Sequence, residues 1–165
     1  MNKKSVLSIK NLNKIYSINS SKSPDSVHAL KNLNLEVKEG EIFGLLGPNG
    51  AGKSTFINII AGTAIKTSGE VNVWGFDLDV NPRQVRASIG IVPQEVNLDP
   101  FFSPRKLLEL QAGMYGVKKK DRITDTVLKL VSLEREANSY ARSLSGGMKR
   151  RLLMAKALVH QPPIL

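Results

Sequence analysis

The sequence predicts a single α/β domain, on three observations. Short stretches alternate apolar and polar residues as strands do, among them Val6–Ile9, Leu33–Val37 and Gly69–Trp74. A glycine-rich loop, residues 47–55, separates a strand-like apolar run from a helix-like one. The second half carries amphipathic stretches at helical spacing. At 165 residues the chain is long enough for one domain with a sizeable core.

Met1-Asn2-Lys3-Lys4 leads into alternation broken by Lys10 and Lys14, which is not the apolar core of a leader peptide. The first strand segment runs on to Tyr16. Residues 17–26, rich in Ser, Asn, Lys and Pro, read as a surface loop. Leu33–Val37 then alternates up to a turn at Glu39-Gly40, and Ile42–Leu46 is the apolar strand that feeds the glycine-rich loop.

That loop is Gly47-Pro48-Asn49-Gly50-Ala51-Gly52-Lys53-Ser54-Thr55, and it satisfies G-x-x-x-x-G-K-[ST]. A polyphosphate is held by converging backbone N–H groups, and glycines let the chain curl tightly enough to aim them inward. Lys53 supplies a point charge for the β- and γ-phosphates. The Ser54 hydroxyl is a Mg²⁺ ligand candidate, and the helix beginning near Lys53 (apolar run Phe56–Ala61) adds its positive end beneath the phosphates. Chance produces the pattern at roughly 4 in 10⁵ positions, so a turn that binds nothing is the weaker reading.

Beyond the loop, Val71 and Val73 fall on one face of Gly69–Trp74, with Trp74 and Phe76 read as packing residues and Asp77 and Asp79 as turn residues. Gly90-Ile91-Val92-Pro93-Gln94 reads as a strand ending in a polar residue. Ser103-Pro104 is a cap followed by proline at the first helical position, and Leu107, Leu110 and Met114 continue at helical spacing up to Gly113 and Gly116. Ile123, Val127, Leu130 and Val131 mark a second helix, making residues 98–142 a helical insert.

Leu144-Ser145-Gly146-Gly147-Met148 precedes a third amphipathic run, Lys149–Val159, with Leu152, Leu153, Ala155, Ala157 and Leu158 facing a core. Ser145 is a natural N-cap for it. A hydroxyl, two bare glycine N–H groups and a helix dipole also make an anion site, and taken alone a capped helix with a flexible entry explains the motif equally well.

Composition narrows the classes further. No cysteine is present, which excludes disulfide frameworks and cysteine metal sites. No stretch approaches the 18 apolar residues of a membrane span, so membrane contact is expected only through partners. The net charge of +10 is spread along the chain, with short runs only at Lys118–Lys120 and Lys149–Arg151 and little aromatic interleaving; no nucleic acid is expected as partner. A solvated helical face or attraction to an anionic membrane surface accounts for it. His28 and His160 have no metal-ligand partner at useful spacing and read as structural or exposed, and no internal repeat is apparent.

The pairing of the 47–55 loop with Leu144–Gly147 resembles the nucleotide-binding subunits of ABC transporters, whose hallmark is a Walker A loop combined with an L-S-G-G signature. The resemblance covers the whole chain. Residues 94–102 and the signature tail Met148–Arg151 are most similar to the drug-resistance and lipooligosaccharide exporter branch. It implies an ABC-type P-loop NTPase core with an N-terminal antiparallel β subdomain and a helical subdomain. The β subdomain and loop core would occupy residues 1–97, the helical subdomain with the signature 98–160, and residues 161–165 would open the Walker B strand.

The resemblance also implies roles. Tyr16 would stack on adenine, although a core position for its ring stays open. Gln94 would be the Q-loop glutamine, contributing to catalysis with Lys53 and to Mg²⁺ with Ser54, although a plain polar strand end stays open. Each ATP would lie between one subunit's Gly47–Thr55 and Ser145, Gly146 and Gly147 of a second subunit in a two-fold dimer. Transmembrane permease subunits would be the further partners, at the cytoplasmic face of the membrane. Gln161-Pro162-Pro163-Ile164-Leu165 looks like the approach to Walker B, so the family's acidic pair and switch histidine are expected beyond the sequence, and the chain by itself is expected to be a poor hydrolase. A soluble ABC-type ATPase of the translation-factor kind, or a non-functional fragment, is the alternative.

Overall fold

A computed structural model describes residues 3–20 and 23–165. The chain forms two compact units, the first ending at Ser88 and the second spanning Ile89–Leu165.

The first unit is built on a four-stranded antiparallel sheet. Its strands are β1 (Ser5–Ser20), β2 (Ser23–Lys38), β3 (Ser68–Val73) and β4 (Phe76–Asp77), in the order β2-β1-β3-β4. Register follows the apolar alternation: Ile9 lies opposite Leu35 on one side and Val71 on the other, and Leu7 opposite Val37 and Val73. Ile9, Val71 and Val73 are buried, the latter two sharing the face that the alternation assigns them. The β3–β4 connection is the two-residue turn Trp74-Gly75, both at positive φ (53° and 85°) as a type I′ hairpin requires. Trp74 is half-buried, with the Lys4 ammonium 4.9 Å from its ring centre. Helices α1 (Lys53–Ile60) and α2 (Pro82–Ala87) bury Phe56, Ile59 and Val85.

Two expectations in this unit are corrected. Residues 17–20 and 23–26 are not a loop: Ser17 pairs with Ser26, Ile18 with Asp25, Asn19 with Pro24 and Ser20 with Ser23. The part of this expectation that falls on residues 21 and 22 lies outside the described residues, as do Met1 and Asn2. Backbone pairing supplies its own hydrogen bonds, so polar side chains do not prevent it. Conversely, Ile42–Leu46 is not a strand. Residues 41–48 have no regular structure, and Ile42 and Leu46 are almost fully exposed, because no strand among the described residues offers them a ladder.

The second unit is helical, with α3 (Pro104–Met114), α4 (Thr124–Leu130) and α5 (Gly146–Leu158) around one core. Leu108, Leu128, Leu133 and Leu152 are fully buried there, each contributing about 2 kcal/mol of apolar burial. Ser103 caps α3 as its sequence predicts, accepting the Lys106 N–H at 3.3 Å. The face that α3 buries is Leu107, Leu108 and Ala112, whereas Leu110 and Met114 are exposed. In α4 the buried residues are Thr124, Val127 and Leu128, followed by Val131, and Leu130 is exposed. Apolar residues cover more than one face of each helix, and the partners decide which is covered. Between α3 and α4, Glu109 accepts from Arg122 and from the Thr124 hydroxyl, and Arg105 donates to Asp125 at 2.7 Å. Gly90–Gln94 is likewise not a strand among the described residues: a parallel bridge joins the preceding Ile89 to Ile164, and Gly90 N–H donates to Ile164 O at 2.8 Å.

Candidate functional site

Residues 47–55 form the loop-to-helix element their pattern predicts. Gly50 and Gly52 take left-handed φ of 81° and 85°, and Gly52 occupies the position before α1. Ala51 N–H bonds back to Pro48 O at 3.3 Å, closing the turn. The first helical bond of α1 is donated by Phe56 N–H to Gly52 O at 2.9 Å, so the N–H groups of Lys53, Ser54 and Thr55 have no acceptor within the helix. No side chain caps this end and no acidic residue stands in its first turn, which keeps its potential positive.

The Lys53 ammonium folds over the loop, donating to the carbonyls of Gly47 and Pro48, both at 2.6 Å. It makes no ion pair among the described residues. Its charge therefore stays over the loop mouth with a donor to spare for an anion, since an ammonium has three. Gly52 cannot be larger. A Cβ there would collide with the Ala29 carbonyl oxygen of β2 and lie 2.8 Å from Leu30 Cδ2.

Tyr16 lies on β1 in the same unit, opposite Val27, with its ring exposed. It is not a core aromatic. The Lys14 ammonium stands 4.5 Å from the ring centre, covering one face.

Gln94 and the Ser145–Gly147 motif belong to the second unit. Gln94 is exposed, in an irregular segment after Pro93. Ser145 caps α5, its Oγ accepting from Met148 N–H at 3.2 Å. Cβ atoms built on Gly146 or Gly147 would meet nothing within 4 Å, and the first turn of α5 holds no acidic residue. Among the described residues no group of three or more His, Cys, Asp or Glu side chains is placed to hold a metal ion.

His160, read as structural or exposed, is structural. It is half-buried, stacks on Tyr115, and shares a 3.2 Å hydrogen bond with Ile89 O. His28 is exposed and bonded to Asn13 Oδ1 at 3.2 Å. Sequence reasoning missed the supports of the β1–β2 hairpin, namely Asn13, Asn34 and Thr67. A signal for the first two was present, because Lys-Asn-Leu-Asn occurs twice, at 10–13 and 31–34, where no internal repeat had been expected.

Comparison with known proteins agrees with this geometry. A family profile described as ABC transporter matches residues 30–165. The Nod factor export ATP-binding protein I of Rhizobium etli is 41% identical over 135 residues, covering 81% of this chain and 43% of that protein. The protein of the same name from Cupriavidus metallidurans is 39% identical over 163 residues, covering 97% and 51%. The linearmycin resistance ATP-binding protein of Bacillus subtilis is 40% identical over 139 residues, covering 82% and 44%. The chain thus spans about half the length of the curated relatives it matches. Among solved structures, a dimeric ATP-binding cassette in a post-hydrolysis state bound to ADP and Pi superposes with a TM-score of 0.78 at 34% identity, over 96% of this chain and 72% of that one. With a loop of Walker A geometry, a capped L-S-G-G helix and matches of this extent, the chain belongs to the ABC transporter ATP-binding family.

Proposed function

We propose that the chain is the ATP-binding, energy-coupling part of an ABC-type membrane exporter. The observation that carries this reading is the 47–55 loop, in which two left-handed glycines, a first helical turn of unbonded N–H groups and the Lys53 ammonium converge without a competing carboxylate. Export is supported by the names of the relatives, which export Nod factor or confer linearmycin resistance.

In this reading Gly47–Thr55 bind the phosphates of ATP, Ser54 and Gln94 ligate Mg²⁺, and Tyr16 stacks on adenine. A Mg²⁺ ion held there would supply neutralisation of the charge on the phosphates. Gln94 and Lys53 are the groups of this chain that act on the transferring phosphoryl group. Ser145, Gly146 and Gly147 bind the same phosphates from a second subunit, and the dimer of the related cassette supports that arrangement. The division into residues 1–97, 98–160 and 161–165 belongs to this reading too. No helix among the described residues is long and apolar enough to cross a membrane, and transmembrane partner subunits at the cytoplasmic face would carry the cargo.

Titration of the purified chain with Mg-ATP and with inorganic tripolyphosphate tests the reading. Both should bind, and Tyr16→Ala should weaken ATP about tenfold or more, at ~1–3 kcal/mol per stacked base, while leaving tripolyphosphate within about twofold. Absence of binding by the unaltered chain overturns the nucleotide reading. Equal losses for both ligands remove Tyr16 from base recognition.

A further inference from the structure

The repeated Lys-Asn-Leu-Asn segments face each other across the β1–β2 hairpin, with Leu12 opposite Leu33 at their centre. The first asparagine of each, Asn11 and Asn32, is in the left-handed region, with φ of 48° and 45°. The second asparagine of each supports the other segment. Asn34 Oδ1 accepts the Asn11 N–H at 2.9 Å and its Nδ2 donates to Asn32 O at 2.8 Å. Asn13 Oδ1 accepts the Asn32 N–H at 2.9 Å, and its Nδ2 donates to Asn11 O at 2.8 Å and to Asn32 Oδ1 at 3.0 Å. Two backbone irregularities are thus locked by reciprocal carboxamides, so the hairpin keeps one shape there although its ladder is interrupted.

What this lock holds is specific. The register slips between Leu12 and Lys14 and again between Lys14 and Ile15, where Lys14 faces Leu30 and Ile15 faces His28, so Ala29 is the extra residue of a bulge. The Ala29 carbonyl is the group that abuts Gly52 at the end of the phosphate loop. On the other side of β1, Asn13 O accepts the Thr67 N–H at 2.9 Å and the Thr67 hydroxyl accepts the Ile15 N–H at 2.9 Å. Asn13 and Thr67 therefore clamp the three residues before Tyr16, and the strand they are clamped to carries the bulge that rests on the loop.

We infer that Asn13 and Thr67 are positioning residues for base recognition: they fix the offset between the Tyr16 ring and the phosphate loop, and so select a ligand carrying a base as well as a polyphosphate. The inference rests on the nucleotide reading above. Neither residue touches the ligand. Their effect passes through Tyr16, which makes it separable from a general loss of fold.

The experiment is a titration of the full chain with Mg-ATP and tripolyphosphate in Asn13→Ala, Thr67→Val, Thr67→Ser and the double variants with Tyr16→Ala. Asn13→Ala and Thr67→Val should each weaken ATP by about fivefold to tenfold and change tripolyphosphate less than about twofold. Thr67→Ser keeps the hydroxyl and should bind ATP as the unaltered chain does. In the Tyr16→Ala background, neither Asn13→Ala nor Thr67→Val should cost ATP affinity further, since the group they position is gone. Unchanged ATP affinity in Asn13→Ala and Thr67→Val, parallel losses for both ligands, or full additivity with Tyr16→Ala overturns the positioning role while leaving ATP binding in place. Failure of the unaltered chain to bind either ligand overturns both.

Discussion

The imidazole of His160 lies flat on the ring of Tyr115, centroids 3.8 Å apart and planes inclined by 9°. His160 Nε2 donates to Ile89 O at 3.2 Å, which joins the segment after α5 to the Ile89–Ile164 bridge, while Tyr115 follows the last turn of α3. Three separate pieces of the second unit thus meet at one ring. Its Nδ1 is buried with no partner among the described residues.

That geometry fixes the sign of a pH effect. Burial pushes the His160 pKa below its ordinary 6.5, and the bond to the Ile89 carbonyl opposes this only in part. Well above pH 6.5 the ring is neutral folded or unfolded. As pH falls below 6.5 the unfolded chain takes up a proton that the folded chain refuses, so stability declines until the lowered folded pKa is reached. Glu109, held low by the Thr124 hydroxyl and then Arg122, weakens the fold only in a more acid window, below its ordinary 4.5. The thermal midpoint should therefore drop between pH 6.5 and 4.5. His160→Phe, which keeps a ring against Tyr115, should remove that step. An identical pH profile in the variant would refute the assignment.

Lys53→Ala should weaken Mg-ATP on the order of a hundredfold or more, at ~1.5–3 kcal/mol for each charge-assisted bond to the β- and γ-phosphates. Stability should change little. The carbonyls of Gly47 and Pro48 that the ammonium covers are in an exposed loop and return to water. Micromolar ATP binding retained in the variant would exclude Lys53 as the phosphate ligand.

Gly50 and Gly52 have nearly the same φ but different surroundings, and this separates two costs. Alanine at 50 meets nothing within 4 Å and should lose only the left-handed penalty, ~1 kcal/mol. Alanine at 52 adds a collision with the Ala29 carbonyl, and backbone must shift. Denaturant midpoints should therefore fall clearly further for Gly52→Ala than for Gly50→Ala, with ATP affinity falling in the same order. Equal midpoints would show that β2 does not brace the loop.

What the sequence revealed and what it concealed divide along locality. The 47–55 loop, the Ser103 and Ser145 caps and the shared face of Val71 and Val73 were legible, because each depends on residues within a few positions. Ile42–Leu46 was misjudged because a strand exists only with a neighbour, and apolar character does not supply one. The outer hairpin was missed for the converse reason, as Ser17–Ser20 pair with Ser23–Ser26 in a backbone ladder that their polar composition does not announce. Thr67 was invisible, since its bond to Ile15 joins residues 52 positions apart.

Ser145 poses the last test, because its hydroxyl is already occupied. The Oγ accepts the Met148 N–H, yet a hydroxyl has one donor and two acceptor sites, so its proton remains available for a phosphate oxygen of ATP on a second subunit. The cap and the proposed role in trans are compatible, and they separate by substitution. Ser145→Ala loses both and should cost ~1 kcal/mol of stability, roughly 2–4 °C in thermal midpoint for a chain of this size. Ser145→Gly is tolerated at an N-cap with a loss of only a few tenths of a kcal/mol, so it should melt close to the unaltered chain. If Ser145 binds phosphate in trans, both variants should nonetheless lose ATP-dependent self-association by sedimentation, measured with a non-hydrolysable analogue to hold the closed state. Self-association of Ser145→Gly at the same analogue concentration as the unaltered chain would leave Ser145 a helix cap and nothing more.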